Sequence, residues 1–314
     1  MTAPDGVLVS IVNHRHADLL PLCLDSIGPA SAGLTVHVTV LDNASPDGSA
    51  EMVRSRYPAV ELIAQDRANG FAANQNAIIG PRLAGARYVL LLNDDACLTG
   101  DALSALAAFM DAHPTVGIAA PRLVYPDGSP QSSYGAFPRA LDQVLSLWGV
   151  GRLVPKAWRR KNASLLRRLG PLLPRMTRVY LENWVDTPTL PVFVDWVCGA
   201  CMIVRAETIR QIGLLDADSF FMYFEDTDWC LRAHRAGWRV AFVPNAVVRH
   251  YQQGSRSLTT GRVWAESGIR YFAKHGMRFD AWLLRVNVRA KALLTLAWDS
   301  MARLFRGDGA GGVR

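Results

Sequence analysis

Short apolar runs alternate with amphipathic stretches along the first 120 residues of the chain. The β-rich runs cover residues 7–12, 36–41, 60–64, 88–93 and 116–120. Helical patterns fill the intervals at 19–27, 48–56 and 101–112, and a further helix opens at 69–76. Strands alternating with helices at this spacing predict βαβ units and a mostly parallel sheet flanked by helices, an α/β fold.

The second half of the chain is less regular. Residues 121–150 contain several prolines and are predicted to be loop-rich. Strand character returns at 192–204 and at 240–243, with helices predicted at 205–212, 226–236, 262–275 and 279–305. The sequence therefore predicts one large α/β unit over residues 1–260, followed by a helical extension over 261–314.

The run from Tyr88 to Leu92 has no polar alternation, as expected for a strand covered on both faces, and it ends in Asn93-Asp94-Asp95. Two adjacent carboxylates repel each other and favour a cation, for which a hard divalent ion is suited. A second interpretation is equally open at this point. Asp95 or Thr99 would then only cap the helix at 101–112.

Polar clusters follow two other predicted strands, at Asn13-His14 and at Asp42-Asn43. The carboxyl ends of parallel strands meet at one sheet edge, where α/β proteins bind ligands. We therefore expect a nucleotide-type site there, although His14 alone fits a solvated loop and Asp42 a turn. No glycine-rich phosphate loop is present, so a bound diphosphate would need a metal ion to neutralise it.

A second acidic stretch, Glu225-Asp226-Thr227-Asp228, is embedded in aromatic residues. Apolar surroundings raise the pKa of a carboxyl group and suit Asp226 to act as a base. The alternative is a capping role for Asp226, with ion pairs to Arg232 or Arg235. His250 follows another apolar strand. It is suited to bind a metal ion as neutral imidazole, and the alternative is a purely structural role.

The charge of the chain is concentrated in one segment. The 314 residues, 50% hydrophobic, carry 34 basic and 27 acidic side chains, a net charge of +7. Residues 151–180 hold nine basic side chains and no acid, so the rest of the chain is near −2. This pattern argues against a general nucleic-acid surface. The segment is amphipathic, and an anionic membrane surface and a solvated basic linker both fit.

Three further features bear on location. The last predicted helix has an apolar stripe with basic neighbours. This stripe is consistent with core packing, with a dimer contact and with attachment to a membrane. The five cysteines are scattered, and Cys198-Gly-Ala-Cys201 is expected to be structural in a reducing compartment. No signal peptide or long apolar run is apparent, which favours a cytoplasmic protein, peripheral on the inner face of the plasma membrane.

Seven ordered motifs resemble family-2 glycosyltransferases of the inverting GT-A fold, in particular the rhamnosyltransferase-like branch. The resemblance covers residues 7–121 and 192–257. The motifs are Val9–Asn13, Leu41–Ser45 with Asp47–Ser49, Asn69–Ala72 with Asn76, Leu92–Asp95, Gly199–Ala200 with Arg205, Tyr223–Asp228 with Arg232 and Gly237–Trp238, and His250 with Gly254 and Ser255.

The resemblance implies a role for each matched residue. Asp226 would be the catalytic base, Asp95 the direct metal ligand, and His250 a second group near the metal and diphosphate. The expected donor-binding set is Asn13, Asp42, Asn43, Asn69, Gly70, Asn76, Asp94 and Glu225. Two departures from the family pattern are His14-Arg15 after Asn13 and Ala77 in place of glycine.

The implied reaction is a single displacement with Mg²⁺ or Mn²⁺. The branch favours L-rhamnose from a dTDP-sugar, with a UDP-sugar as the other donor class, and a glycan or polyprenyl-diphosphate-linked acceptor. Residues 7–121 would form the nucleotide-sugar half, 122–191 an acceptor-selecting, membrane-proximal insertion and 192–260 the catalytic-base half. The rival functions are a sugar-1-phosphate nucleotidyltransferase and a non-catalytic nucleotide-sugar-binding protein.

Overall fold

The computed structural model describes residues 6–149, 188–252 and 258–307, together with Asn162 and Leu165. The strands are β1 Gly6–Asn13, β2 Val36–Asp42, β3 Glu61–Ala64, β4 Ala86–Asn93, β5 Ala96–Thr99, β6 Val116–Val124, β7 Tyr134–Gly135, β8 Val192–Val194, β9 Trp196–Val197, β10 Cys201–Arg205 and β11 Arg239–His250. The helices are α1 Leu20–Ala30, α2 Ser49–Arg56, α3 Phe71–Arg82, α4 Ala102–Ala112, α5 Ala140–Leu147, α6 Ala206–Ile212, α7 Glu225–Arg235, α8 Leu258–Lys274 and α9 Arg278–Gly307.

The main sheet has the order β3-β2-β1-β4-β10-β6-β11-β5, with β8 also paired to β11. The first four strands in this order are parallel, and β6 is parallel to β11. Strand β10 enters antiparallel between β4 and β6. This mixed sheet flanked by helices confirms the expected α/β fold class.

Strand β4 is buried because helices cover both faces of the sheet. Leu90 and Leu92 belong to the core cluster under α1 and α4, whereas Val89 and Leu91 belong to the cluster under α3, α6 and α7. Successive side chains of a strand point to opposite faces, so both sets must be apolar. This explains the unbroken leucine run that ends at the carboxylates.

Two expectations about local structure were wrong. Residues 96–99 form strand β5, and α4 begins at Ala102 after Asp101, so neither Asp95 nor Thr99 caps that helix. The loop-rich interpretation of 121–150 missed helix α5 and strand β7. Strand β11 also runs continuously through Pro244, with an irregularity between Val243 and Val247 that absorbs the proline.

Helices α8 and α9 pack against each other, against α5 and against the loop before α7 through a third apolar cluster, which includes Phe220, Phe224, Tyr271 and Leu284. The basic segment 151–180 lies outside the described residues, apart from Asn162 and Leu165. Within the described part of the chain, no helix is long and apolar enough to cross a membrane. The Cys198 and Cys201 thiols are free, and burial raises the pKa of both, that of Cys198 to about 12.

Candidate functional site

The predicted convergence of polar strand ends is present. Strands β1, β2 and β4 are parallel neighbours, and the buried Asn13 side chain donates from Nδ2 to Asp42 Oδ1 at 2.7 Å. The other oxygen of Asp42 accepts the backbone N–H of Ser45 at 3.0 Å. Asn13 therefore holds Asp42 in place, and the two residues form one buried polar group at the sheet edge.

The second polar strand end is tied to the start of α3. The Asn43 side chain accepts the N–H of Asn69 at 2.8 Å and donates to the Asn69 carbonyl at 3.1 Å. Gly70 follows, and a Cβ atom there would lie 2.6 Å from the Phe221 carbonyl oxygen. Only glycine allows this approach, which brings the loop before Glu225 against the rim of the predicted donor pocket.

Asn76 has a different environment from Asn69 and Gly70. Its side chain donates to the Leu215 carbonyl at 2.7 Å and accepts the Leu215 N–H at 3.1 Å. These bonds join α3 to the segment that leads to the second acidic stretch. They give Asn76 a structural contact that its place in the motif did not reveal.

Asp94 organises the loop after β1. Its carboxylate accepts the His14 N–H at 2.9 Å and lies 3.0 Å from His16 Nδ1. Burial raises the pKa of Asp94, while the His16 hydrogen bond opposes that shift, and the pKa of His16 is raised by Asp94 in return. The backbone of His14 and the side chain of His16 are thus the partners of Asp94 in this loop.

Asp95 and His250 meet because β5 pairs antiparallel with β11, in the register Ala96 with His250. The distance between Asp95 Oδ1 and His250 Nε2 is 3.1 Å, and both side chains are buried. Two residues separated by 155 positions in sequence therefore place one oxygen and one nitrogen side by side at the strand ends.

Gln131, which the sequence did not single out, sets the tautomer of His250. Its Nε2 donates to the His250 carbonyl at 2.9 Å, and a carbonyl oxygen can only accept. The Gln131 Oε1 therefore faces His250 Nδ1, also at 2.9 Å, and accepts a hydrogen bond from the Nδ1–H group. In neutral His250 the proton is on Nδ1, and the Nε2 lone pair faces Asp95.

This arrangement fits a divalent cation. Adjacent ligands on an ion with bonds of about 2.1 Å lie about 3 Å apart, which is the spacing of Asp95 Oδ1 and His250 Nε2. The Nε2 lone pair faces the Asp95 carboxylate and lies 3.5 Å from Asn93 Nδ2, so a cation shared with Asp95 would stabilise the pair. Among the described residues, no group of three or more His, Cys, Asp or Glu side chains is placed to hold a metal ion.

The second acidic stretch begins helix α7, next to the first. Asp226 Oδ2 accepts the Gly199 N–H at 3.0 Å, and the adjacent Ala200 carbonyl accepts the Asn93 N–H at 2.9 Å. Residues 199–200 therefore bridge Asp226 to the strand end that carries Asp94 and Asp95. The two acidic stretches are parts of one site.

Glu225 is buried and Asp226 beside it is half-buried, and the pKa values of both are raised. Burial, followed by the Asp226 charge, raises the pKa of Glu225 to about 8, and its Oε2 has no hydrogen-bond partner among the residues that the structure describes. Burial also raises the pKa of Asp226, although N–H groups of Gly199 and Thr227 and the Thr227 hydroxyl oppose this. Within the described part of the chain, the donors to Asp226 are uncharged, so they orient its carboxylate without neutralising its charge.

Asp228 is different and carries the ion pairs once considered for Asp226. Its fully buried carboxylate accepts Arg232 Nε at 2.8 Å, Lys274 Nζ at 2.6 Å and His275 Nε2 at 2.9 Å. These donors keep the pKa of Asp228 low despite its burial. The network joins α7 to the end of α8, and Arg235 takes part only through His275 Nδ1.

Two consecutive residues with left-handed backbone, Tyr223 and Phe224, both at φ 68°, place Glu225 and Asp226. Such conformations are costly for residues with side chains, and surrounding contacts must hold them. Helix α8 supplies these contacts, since Ser267 Oγ donates to the Met222 carbonyl at 2.8 Å and the Phe224 ring packs over Gly268. We call this set of contacts the α8 clamp.

Comparison with known proteins agrees with these observations. Residues 4–265 match the family described as glycosyltransferase like family 2. An N-acetylglucosaminyl-diphospho-decaprenol L-rhamnosyltransferase of Mycobacterium tuberculosis is 29% identical over 243 residues, which cover 72% of this chain and 69% of the relative. The rhamnosyltransferase WbbL of Escherichia coli is 37% identical over 84 residues, 26% of this chain and 31% of the relative.

A solved structure supports the fold. The mannosyltransferase PcManGT from Pyrobaculum calidifontis, in complex with GDP-Man and Mn²⁺, superposes with a TM-score of 0.52 at 17% identity, over 96% of this chain and 81% of the other. The expected resemblance to the rhamnosyltransferase-like branch of family 2 and the expected GT-A fold are therefore confirmed.

Proposed function

The chain belongs to glycosyltransferase-like family 2, and on that premise we propose that it transfers L-rhamnose from dTDP-rhamnose to a hydroxyl of a polyprenyl-diphosphate-linked glycan, with inversion. Sugar transfer itself follows from family membership. The observation that carries the finer proposal is the junction through Gly199 and Ala200, which joins a cation-suited pair to a half-buried base candidate. The rhamnosyl donor and the lipid-linked acceptor rest on the Mycobacterium tuberculosis relative.

In the proposed mechanism Asp226 accepts the proton of the acceptor hydroxyl. Its carboxylate is oriented by Gly199 and Thr227, and burial raises its affinity for a proton. The hydroxyl oxygen then attacks the anomeric carbon from the face opposite the leaving diphosphate. One base is sufficient, and no covalent sugar–enzyme intermediate is formed, unlike in a retaining glycosidase with two close carboxyl groups.

Asp95 and His250 would hold Mn²⁺ or Mg²⁺, which when bound offsets the negative charge of the diphosphate. Asn13, Asp42 and Asn43 support the nucleotide side of the pocket, with Asn69 and Gly70 at its rim and Asp94 shaping the loop beside it. Asn76 would act through its contact with Leu215, and Glu225 would line the site beside the base. This assignment extends the family resemblance to the contacts described above.

The organisation of the chain is part of the proposal. Residues 7–121 would bind the nucleotide sugar, 122–191 would select the acceptor, and 192–260 would carry the base, with 261–314 as an extension. With a polyprenyl-linked acceptor, the enzyme would act at the inner face of the plasma membrane, in the synthesis of a cell-surface polysaccharide. A UDP-sugar remains the alternative donor.

A donor screen tests the function. The purified protein is incubated with dTDP-rhamnose, UDP-sugars and GDP-mannose, each with Mn²⁺ and a soluble N-acetylglucosaminyl-diphospho-lipid analogue. We expect release of dTDP and a rhamnosylated product with inverted anomeric configuration. Pyrophosphate-dependent formation of a nucleoside triphosphate would instead indicate a nucleotidyltransferase, and donor binding without turnover would indicate a binding protein.

A second experiment tests the metal assignment through Gln131. Gln131→Leu removes the acceptor that keeps the His250 proton on Nδ1, and loss of such a support typically weakens metal affinity about 10- to 100-fold. Mn²⁺ binding in the presence of dTDP is measured by calorimetry. The matched control is Gln143→Leu, another buried glutamine, on α5. Equal Mn²⁺ affinity in the two variants would contradict the assignment.

A further inference from the structure

Helices α5 and α9 expose an unusual number of large apolar side chains. On α5 and at the residue that follows it these are Leu141, Leu145 and Trp148, with 60%, 40% and 43% of their surface exposed. On α9 they are Phe279, Trp282, Val286, Leu293, Leu294, Leu296, Trp298 and Met301, with exposed fractions from 43% to 70%. We call this surface the α5–α9 face. Exposed apolar clusters of this kind mark sites of interaction with a protein or a membrane.

The face is one continuous surface because α5 and α9 are joined to each other. Trp148 Nε1 donates to Asn287 Oδ1 at 3.0 Å, and the Lys291 ammonium donates to the Leu147 carbonyl. At the other end of the pair, the Ala140 N–H donates to Asp280 Oδ1 at 3.1 Å. The two helices therefore present their exposed side chains on a fixed platform.

Helix α9 has two apolar faces, and only one is used in the fold. Ala281 and Leu284 are buried in the cluster with Phe224 and Tyr271. Phe279, Trp282, Val286 and Leu293 follow at helical spacing on another side of the helix and are exposed. Core packing, one of the alternatives for this stripe, is therefore wrong for these side chains.

The charges beside the exposed stripe are mostly positive. Arg278, Arg285 and Arg289 are exposed on α9 and lie on one side of the stripe by their spacing of seven and four residues. The carboxylate of Asp280 is engaged by the Ala140 N–H. An apolar stripe with tryptophans and a basic border matches the interfacial region of a bilayer with anionic headgroups.

A second copy of the chain fits this face less well. A two-fold dimer brings the same patch of both copies together, so the partner would offer another apolar stripe bordered by arginines and not an anionic surface to pair with them. Anionic lipid has the complementary charge. We propose that the α5–α9 face binds an anionic lipid membrane, with Trp282, Leu293 and their neighbours inserted at the level of the headgroups.

This inference deepens the proposed function. It rests on that function in one respect: the lipid-linked acceptor is the reason why the enzyme would bind a membrane. Flotation with vesicles of phosphatidylglycerol and phosphatidylcholine, without donor or acceptor, tests it directly. We expect the protein to float with these vesicles and not with pure phosphatidylcholine. Failure to bind anionic vesicles would overturn the proposal.

Variants locate the binding surface. The double variant Trp282→Glu/Leu293→Glu should lower the vesicle partition coefficient at least about tenfold, since it places charge in the apolar stripe. Arg285→Gln/Arg289→Gln should lower it about fivefold per arginine at low salt. The matched control is Leu22→Glu, at a half-exposed leucine on α1. Equal binding by the double variant and the control would overturn the assignment of the face.

Two further measurements separate this inference from the proposed function. Sedimentation of the wild-type protein and the double variant in solution reports self-association, and a dimer lost only in the variant would favour a second copy as the occupant. Transfer to a water-soluble acceptor analogue should be unchanged in the double variant. If neither the wild-type protein nor the double variant transferred sugar while the wild type still bound vesicles, the proposed function would be overturned. Membrane binding by the α5–α9 face would still be supported.

Discussion

Asp226 and Asp228 lie two residues apart in the first turn of α7, yet their environments are opposite. Asp226 is held by uncharged donors, the N–H groups of Gly199 and Thr227 and the Thr227 hydroxyl, and its pKa is raised by burial. Asp228 is surrounded by Arg232, Lys274 and His275, and its pKa is lowered.

The difference shows how one short acidic motif serves two purposes. A carboxylate that must take up a proton needs partners that orient it without neutralising it, whereas a carboxylate that must stay ionised in the interior needs cations. The residue type is the same in both cases. The charge of its partners, some of them about 50 residues downstream, decides which role each aspartate has.

The largest expected effect is on the Asp226 side. Asp226→Asn removes the proposed base and keeps the size of the side chain, so we expect transfer to fall by about 10²- to 10⁴-fold. Donor binding, measured by calorimetry, should be nearly unchanged, as should the midpoint of urea unfolding. Near-normal transfer with intact donor binding would contradict the assignment of the base.

The corresponding change on the other side should affect stability instead. Asp228→Asn leaves Arg232 and Lys274 beside an uncharged group in the interior, and removing one partner of a buried ion network costs about 3 kcal/mol. Urea unfolding measures this loss. In the fraction that remains folded at low temperature, we expect transfer per molecule to fall far less than in Asp226→Asn.

A third change tests whether the α8 clamp positions the base. The substitution Gly268→Val would crowd the Phe224 ring, because a Cβ atom at position 268 would already lie 3.2 Å from Phe224 Cζ. We expect Gly268→Val to lower kcat about tenfold with a smaller change in donor KM. The matched control is Gly261→Val in the same helix, where a Cβ atom meets nothing within 4 Å. An equal effect at both glycines would count against the clamp.

The smallest effect concerns pH. Folding raises the pKa of Glu225 from about 4.3, its ordinary value, to about 8. Between these values the folded state binds more protons than the unfolded state, so the free energy of unfolding falls as pH rises. Glu225→Gln should flatten part of this decline, measured by urea unfolding at pH 6 and pH 8. An identical slope in both proteins would show that Glu225 does not titrate in this range.

Much of the site was predictable from local patterns. The apolar run before Asp94 and Asp95 predicted a buried strand whose end carries carboxylates, and the alternation of strands and helices predicted which strand ends would meet. Local patterns also explain the error at β5. A four-residue strand of Ala96–Thr99 has no distinctive sequence, and it forms because β11 supplies a partner.

The remaining features depend on contacts distant in sequence. Gln131 follows a turn with no distinctive sequence pattern. Its role in orienting His250 is visible only from its two hydrogen bonds to that residue. Asp228 was indistinguishable from Asp226 until Lys274 and His275 were located. Helix α5 was missed because the prolines on its N-terminal side outweighed eight residues of helical pattern.

The position of β10 in the sheet has a consequence for biosynthesis. Strand β4 pairs with β1 on one side and with β10 on the other, β6 pairs with β10 and β11, and β5 pairs with β11, so β4 lacks its second neighbour and β5 and β6 lack these sheet partners until residues 201–250 have left the ribosome. The nascent N-terminal half would therefore expose an apolar strand edge next to its carboxylates, a surface prone to aggregation. The addition of β10 and β11 to the sheet during synthesis would thus both complete the active site and cover that strand edge.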